Sequence, residues 1–322
     1  MPVSHSDVFN AYRLLLGREP ESDAAIASHL DCADLDELRR RFMRSREFRS
    51  SPVIADKALL PLDAPALDIE TDAPPEQLEA ALSKVRSIWS RLGLARPHFS
   101  VLTHPKFLPD SLSSTTDQFW NSGEHEAAML RRVLARVGLH RTETMSCVEF
   151  GCGVGRVTVP LAAHFKRVHA YDISVNHLTL ARERATHLRV TNIAFHEYSD
   201  RLQEDLALCE FFYSKIVFQH NPPIVITLLI RSALQCLLPN GIAIFQVPTH
   251  SAGYRFNAAE WLEASEANDM EMHCYPQERI FELIAGEGCI PVEVREDGSA
   301  GDRFLSNTFV VRKLRGGRTV RK

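Results

Sequence analysis

Apolar positions along the chain fall into two kinds of pattern. In the first 140 residues they recur at steps of three and four. From about residue 146 onward, short apolar runs alternate with such helical stretches. The first fifty residues predict helices. Ser6 is placed to cap a helix whose apolar face is Val8, Tyr12, Leu15 and Leu16, with Gly17 as its stop. Ser22 opens a second, short helix. Asp34, with Glu37 three residues on, starts a third with Leu35, Leu38 and Phe42 on one face. The same stretch carries Arg39, Arg40, Arg41, Arg44, Arg46 and Arg49, which read first as a solvated helix face and second as an anion-binding or docking surface. Residues 53–75, rich in Pro, Ala and Asp, have no sustained period and read as a linker. Leu78, Leu82, Val85, Trp89 and Leu92 then predict a helix from Pro75, ended by Gly93, and a further helix runs from about Gly123 to Val137, stopped by Gly138. The irregular stretch 94–121 between them, with Pro97, Pro105 and Pro109, is long enough to suggest a binding loop or lid.

The second half predicts strands at Ser146–Phe150, Val168–Tyr171, Ile193–His196, Cys209–Tyr213 and Gly241–Val247. Helices separate them: Arg156–Phe165, one capped by Ser174 and running through Ala185, and one opened by Pro222 and Pro223 and reaching Leu238. Such alternation predicts an α/β protein whose parallel sheet is covered on both faces. A last helix near Gln277–Ala285 precedes two neighbouring antiparallel strands, Pro291–Arg295 and Thr308–Arg312. The expected organisation is a small all-helical module (1–52), the linker (53–75), a helical extension and lid (76–141), an α/β domain (142–313) with a lid insertion at 249–275, and a basic tail (314–322).

Composition narrows the function classes. The chain has 322 residues, 45% of them hydrophobic and 24% charged, with a net charge of -4, so neither wholesale disorder nor a nucleic-acid partner is expected. The longest apolar runs, such as Ile224–Ile230, are far short of a membrane span, and the N-terminus has no secretion-signal core; a cytoplasmic protein is expected. The seven cysteines are scattered without a C-x-x-C pair, which argues against disulfides and structural zinc. No His/Asp/Glu cluster has metal spacing, so no metal is expected.

The chemistry concentrates around Glu149-Phe150-Gly151-Cys152-Gly153-Val154-Gly155-Arg156, a glycine-rich turn between strand and helix where a ligand can approach bare backbone. The spacing G-x-G-x-G places Arg156 where a dinucleotide loop has its third glycine. Glu149 would repel a pyrophosphate but suits an ammonium or sulfonium. Asp172 ends the second predicted strand, where a carboxylate can accept from a ribose diol. Ser199 or Asp200 is placed to read an adenine amino group, with a plain turn as the competing reading. Ser214 and Lys215, after the fourth strand, should border the crevice, with Gln219 and His220 facing it from the next turn.

With these motifs in order over Cys147–Val247, and the terminal strand pair reaching Arg312, the sequence resembles a class I S-adenosylmethionine-dependent methyltransferase. Leu238-Pro239-Asn240-Gly241 resembles the turn before that family's fifth strand. The resemblance implies a Rossmann-like seven-stranded, mostly parallel sheet with its last strand antiparallel and helices on both faces. It implies S-adenosyl-L-methionine as cofactor. Gly151, Gly153 and Gly155, with Cys152 between them, would admit its methionine part, Glu149 its amino group, Asp172 its ribose and Ile173 its adenine. Arg156 would reach its carboxylate, or else sit on a helix surface. His220 is the first candidate for a general base, ahead of Tyr213 and Glu197. The acceptor, a small molecule or glycan precursor, would lie between residues 95–122 and Thr249–Tyr275, the latter carrying Tyr254, Arg255, Phe256, Trp261 and Met272. Tyr12-Arg13-Leu14-Leu15-Leu16-Gly17-Arg18-Glu19-Pro20 and Ser45-Arg46-Glu47-Phe48 resemble a small helical module joined to bacterial glycan-modifying enzymes, and offer a surface for a protein partner. Two other classes stay open: a NAD-dependent oxidoreductase and a non-catalytic S-adenosylmethionine-binding adaptor.

Overall fold

A computed structural model describes residues 3–49, 63–198, 206–264 and 270–316. The chain divides into two compact units, Met1–Ala64 and Pro65–Lys322.

In the first unit, α1 (His5–Ala11) is capped by Ser4, whose side chain accepts from Asp7 N–H while Asp7 reaches back to Ser4; the cap lies two residues before the expected Ser6. The chain continues through a π-turn, Tyr12–Leu16, and stops at the left-handed Gly17. Helices α2 (Asp23–Ala27), capped by Ser22, and α3 (Leu35–Arg44), capped by Asp34, follow, then the short α4 (Arg46–Arg49). Their core is Val8, Tyr12, Ile26, Cys32, Leu38 and Phe42; Leu35, expected on the buried face, is exposed. Three arginines are held by acids: Arg18 by Glu47 and Glu21, Arg39 by Asp36, and Arg41 by Asp31.

The second unit begins with a two-residue strand β1 (Asp68–Ile69) and the long helix α5 (Pro75–Ala95), whose first-turn proline needs no donor. Short helices α6 (Pro97–Val101) and α7 (Pro109–Leu112) occupy the stretch expected to be irregular, and α8 (Thr116–Arg136) follows. Two glycines read as helix ends lie inside helices instead. A Cβ on Gly93 would fall 2.2 Å from the Ser174 hydroxyl, and one on Gly123 would fall 1.9 Å from the Arg156 carbonyl. Both are required by the approach of a neighbouring element rather than by a turn.

The sheet contains β2 (Ser146–Phe150), β3 (Arg167–Asp172), β4 (Ile193–Glu197), β5 (Cys209–Ser214), β6 (Leu237–His250), β8 (Cys289–Asp297) and β9 (Leu305–Lys313), in the order β4-β3-β2-β5-β6-β9-β8. β7 (Arg255–Phe256) pairs with β1 as a separate parallel ribbon. β9 runs antiparallel to both of its neighbours, β6 and β8, and the other pairings of the sheet are parallel. This is a mixed, mostly parallel seven-stranded sheet of Rossmann-like form. Helices α9 (Thr158–Ala162), α10 (Val175–His187), α11 (Pro223–Gln235), α12 (Ala258–Glu263) and α13 (Gln277–Gly286) complete the unit. The helix expected from Arg156 begins only at Thr158, which leaves Arg156 in the turn. One large core packs α5 and α11 against the sheet through Leu82, Val148, Phe212, Ile226 and Phe245; a second packs α8 and α9 through Leu130, Leu134, Leu161, Phe211 and Ile244.

The strand order reverses between β2 and β5, so the carboxyl ends of β3, β2 and β5 open a crevice at that switch point. Register aligns Glu149 with Ala170 on one side and Tyr213 on the other, and Asp172 with Glu197. All seven cysteines are free and buried. Among the described residues no helix is long and apolar enough to cross a membrane.

Candidate active site

The crevice is a cavity with about 930 Å³ of non-atom space, the open solvent at its mouth included. Its floor is the turn after β2. Gly151 and Gly153 take φ of +76° and +54°, and a Cβ on either would collide with Val217 or Val101, 2.3 and 2.4 Å away. Only glycine fits at these two positions. Gly155 does not line the cavity; it closes the turn by donating its N–H to the Cys152 carbonyl and packs on Ala181.

Glu149 sits beneath this turn at the end of β2. It is 4% exposed, and its Oε2 meets no donor in hydrogen-bonding geometry. Burial, with Asp172 and Glu126 adding to it, raises its carboxyl to about 8; Thr158 and Arg156 nearby offset this only in part. Asp172 lies across the turn. Its Oδ2 accepts from Gly153 N–H at 2.7 Å and its Oδ1 from Ser174 N–H at 2.9 Å, with His177 Nδ1 at 3.4 Å. Ser174 caps α10, so Asp172 ties the glycine turn to that helix while also lining the cavity.

Cys152, Arg156, Ile173 and Lys215 line the same cavity. Arg156 reaches Ser122 at 3.2 Å, and its Nε is buried without a partner. Lys215 is paired with Glu126 at 3.0 Å, and Tyr213 donates to the same carboxylate at 2.8 Å. Burial and Glu126 push the Tyr213 phenol well up, so it stays protonated. Ser214 turns away from the cavity and donates to the Phe150 carbonyl at 3.0 Å, which pins the ends of β2 and β5 together. Ile216 has φ of 58°, a left-handed angle that is strained for a β-branched residue. Gln246 holds it there by accepting the Ile216 N–H at 2.9 Å, and donates in turn to Gln219 and Ser306. Strain of this kind costs about 1–3 kcal/mol and concentrates at functional sites.

His220 does not face the cavity. It ends a 3-10 turn, Phe218–His220, that swings the ring against Trp89, with centroids 5.4 Å apart. Its Nδ1 meets the Glu271 carbonyl at 3.0 Å and its Nε2 the Gln219 amide at 3.1 Å. Burial depresses it to about 4. It walls a smaller neighbouring cavity of about 280 Å³ with Trp261, Met270 and His273. An imidazole so bonded and so weakly basic is a poor proton acceptor at neutral pH. Ser199 lies outside the described residues.

Several wall residues have no motif. Trp89 and Val85 on α5 line both cavities, yet their helical spacing marks them only as core. Ser100, Val101, His177, Tyr198 and Asn221 also line the larger cavity. Glu126, the anchor for Lys215 and Tyr213, lies on α8 with no local signal. The only hint for Ser100 and Val101 is their place in the proline-rich stretch expected to form a lid. Among the described residues there is no group of three or more potential metal ligands.

A family model described as a methyltransferase domain matches residues 122–287, just over half of the chain. The chain belongs to this methyltransferase family. The matched segment holds the glycine turn, Glu149, Asp172 and Lys215, while Val85, Trp89, Ser100 and Val101 bring the rest of the methyltransferase's cavity wall from before it. Two solved structures of magnesium protoporphyrin IX methyltransferase (ChlM) from Synechocystis PCC 6803 share its fold. The one with bound SAH is 14% identical, covering 72% of this chain and 99% of that one at a TM-score of 0.52. The one with bound SAM is 15% identical, covering 72% and 97% at a TM-score of 0.50. A search of curated proteins gave no match. The methyltransferase and these structures share the sheet and its helices; at this identity they lend it nothing about substrate.

Proposed function

We propose that this methyltransferase carries a methyl group from S-adenosyl-L-methionine, bound in the 930 Å³ cavity, to a small molecule or glycan precursor. The observation that carries the reading is Glu149. A buried carboxyl oxygen without a donor, under a turn of bare backbone, is favoured in its ionised form by a cation beside it and disfavoured by a diphosphate. The chemistry of the remaining wall fits the donor. Asp172 retains lone pairs for a ribose diol, Ile173 and Tyr198 supply an apolar slot for adenine, and Arg156 is placed for a carboxylate. S-adenosylmethionine, when bound, supplies an activated methyl group on a sulfonium. The chain's own part is to orient and enclose. Glu149 holds an ammonium, and the strained Ile216 and its Gln246 clamp shape the wall between β5 and α5. Trp89 and Val101 keep bulk water from the cavity. Holding reactants in near-attack geometry supplies several kcal/mol, up to ~7–11 in the best intramolecular models.

The acceptor is read as entering between the 97–112 segment and the 249–275 insertion, where Trp89 joins the two cavities. His220 is assigned to the wall of the smaller cavity rather than to proton transfer. The N-terminal unit is read as a separate helical module for a partner of a glycan pathway, and the enzyme as cytoplasmic. Melting in the presence of S-adenosylhomocysteine or NAD tests the donor assignment: the former raises the midpoint and the latter does not. A shift with NAD alone would move the chain to the oxidoreductase class. Transfer of radiolabelled methyl to a cell-extract fraction then identifies the acceptor; binding without transfer to any fraction would favour an adaptor.

A further inference from the structure

We propose that His177 is a positioning residue that links the seating of Pro97–Val101 to the carboxylate of Asp172, so that this segment is the cover of the donor site. The inference rests on the donor assignment above and adds to it a moving part and the residue that senses it.

The segment from Gly93 to Val101 meets the donor side of the crevice at three points. Gly93 presses its backbone on Ser174, Ser100 Oγ lies 2.9 Å from His177 Nε2, and Val101 lies over Gly153 so closely that a Cβ there would be 2.4 Å from its methyl. His177 is 2% exposed and uses both ring nitrogens, one toward Ser100 and the other 3.4 Å from Asp172 Oδ1. Asp172, through its other oxygen, holds Gly153 N–H at 2.7 Å. The contacts therefore close a circuit: Val101 on Gly153, Gly153 to Asp172, Asp172 to His177, and His177 to Ser100, the residue before Val101. Packing alone does not need an imidazole here. The other buried positions that α10 turns inward, Leu178, Ala181 and Ala185, are apolar. A buried imidazole without partners would be costly; with Nδ1–H donating to Asp172 and Nε2 accepting the Ser100 hydroxyl, whose other acceptor is the Pro97 carbonyl at 2.9 Å within the same segment, it becomes a two-ended strut.

The strut has a direct consequence for ligand binding. When the hydroxyls of a ribose donate hydrogen bonds to Asp172, the carboxylate must keep its orientation. Gly153 N–H and Ser174 N–H hold it from two sides, and His177 adds a further contact at 3.4 Å on the Ser174 side, one it keeps aimed only while Ser100 is seated. Donor binding and closure of Pro97–Val101 should then favour each other by the same factor.

Hydrogen–deuterium exchange on the full chain, with S-adenosylhomocysteine as probe, tests this. In the unsubstituted protein, saturating probe should slow exchange at both 97–103 and 151–155. In His177→Leu the probe should bind about 3- to 10-fold more weakly, the worth of one or two net hydrogen bonds. At saturation it should still protect 151–155 but no longer 97–103. Ser100→Ala, which alters one small side chain on the cover, should lose protection of 97–103 in the same way and serves if the leucine variant does not fold. His177→Gln, able to donate at one end and accept at the other, should restore the coupling. Protection of 97–103 that persists in His177→Leu or Ser100→Ala overturns the inference and leaves the donor assignment standing. Loss in the leucine variant that glutamine does not restore marks His177 as packing and also overturns it. Absence of any probe binding to the unsubstituted protein overturns both.

Discussion

Replacing Glu149 by glutamine keeps the side chain's shape and removes its charge, and the structure assigns the change a definite sign. Burial raises this carboxyl from 4.5 to about 8. Ionising it in the folded chain thus costs on the order of 5 kcal/mol more than in the unfolded chain. Because the folded pKa is the higher one, the folded protein binds more protons than the unfolded between pH 4.5 and about 8. Stability falls as pH rises through that window and levels off above it. At pH 7 the deficit is about 3 kcal/mol as an upper bound, which Glu149→Gln should recover as roughly 6–12 °C in Tm for a unit of this size. The assay is a set of thermal melts of both proteins, without ligand, from pH 5 to 8.5. The variant's advantage should be small at pH 5 and grow until about pH 8. The same substitution should weaken S-adenosylhomocysteine by tenfold or more, since the group that costs stability is the one that receives the ligand's cation. A Tm difference that does not change with pH, or a variant less stable at pH 8, would refute the reasoning.

Further outcomes follow from other contacts. Asp172→Ala removes the acceptor for Gly153 and Ser174 N–H; calorimetry should show S-adenosylhomocysteine weakened by at least about tenfold, and urea melts a loss of roughly 1–3 kcal/mol. Gly153→Ala must hold φ near +54° with its methyl against Val101, and should cost about 1–3 kcal/mol by the same melts. His220→Gln should keep turnover within a few-fold, against the ~10²–10⁴-fold loss expected of a removed general base; such a loss with ligand affinity intact would return His220 to the chemistry. His273, which accepts or donates at Tyr254 2.8 Å away, is depressed from 6.5 to about 3 by burial. A folded state that keeps it neutral loses stability as pH falls below 6.5, so His273→Asn should be less acid-sensitive than the unsubstituted chain in melts between pH 6.5 and 4.

The glycine turn, the acid before it and the acid ending the next strand could be read from the chain because each is a local device. A turn, a strand end and a cap are all set within a few residues. The alternation of strands and helices was legible for the same reason, and Asn240, at φ 65°, sits in the left-handed region that asparagine tolerates. What could not be read depends on elements distant in sequence. Gly93 and Gly123 look like helix ends until Ser174 and the Arg156 carbonyl arrive beside them. His220 follows the right strand, but one 3-10 turn sends its ring to Trp89, and no local pattern reports that direction. Trp89 itself has the spacing of a core residue and becomes a cavity wall because α5 crosses the mouth of the sheet. Glu126 is 87 residues from the tyrosine it binds.

The most direct test of the central claim is calorimetric titration with S-adenosylhomocysteine at pH 7 in two buffers of different ionisation enthalpy. A carboxyl that titrates near 8 in the free protein must ionise to receive an ammonium. Binding should therefore release most of one proton at this pH from the unsubstituted chain and none from Glu149→Gln. Equal proton release from the two proteins, or binding with no release from either, would contradict the account.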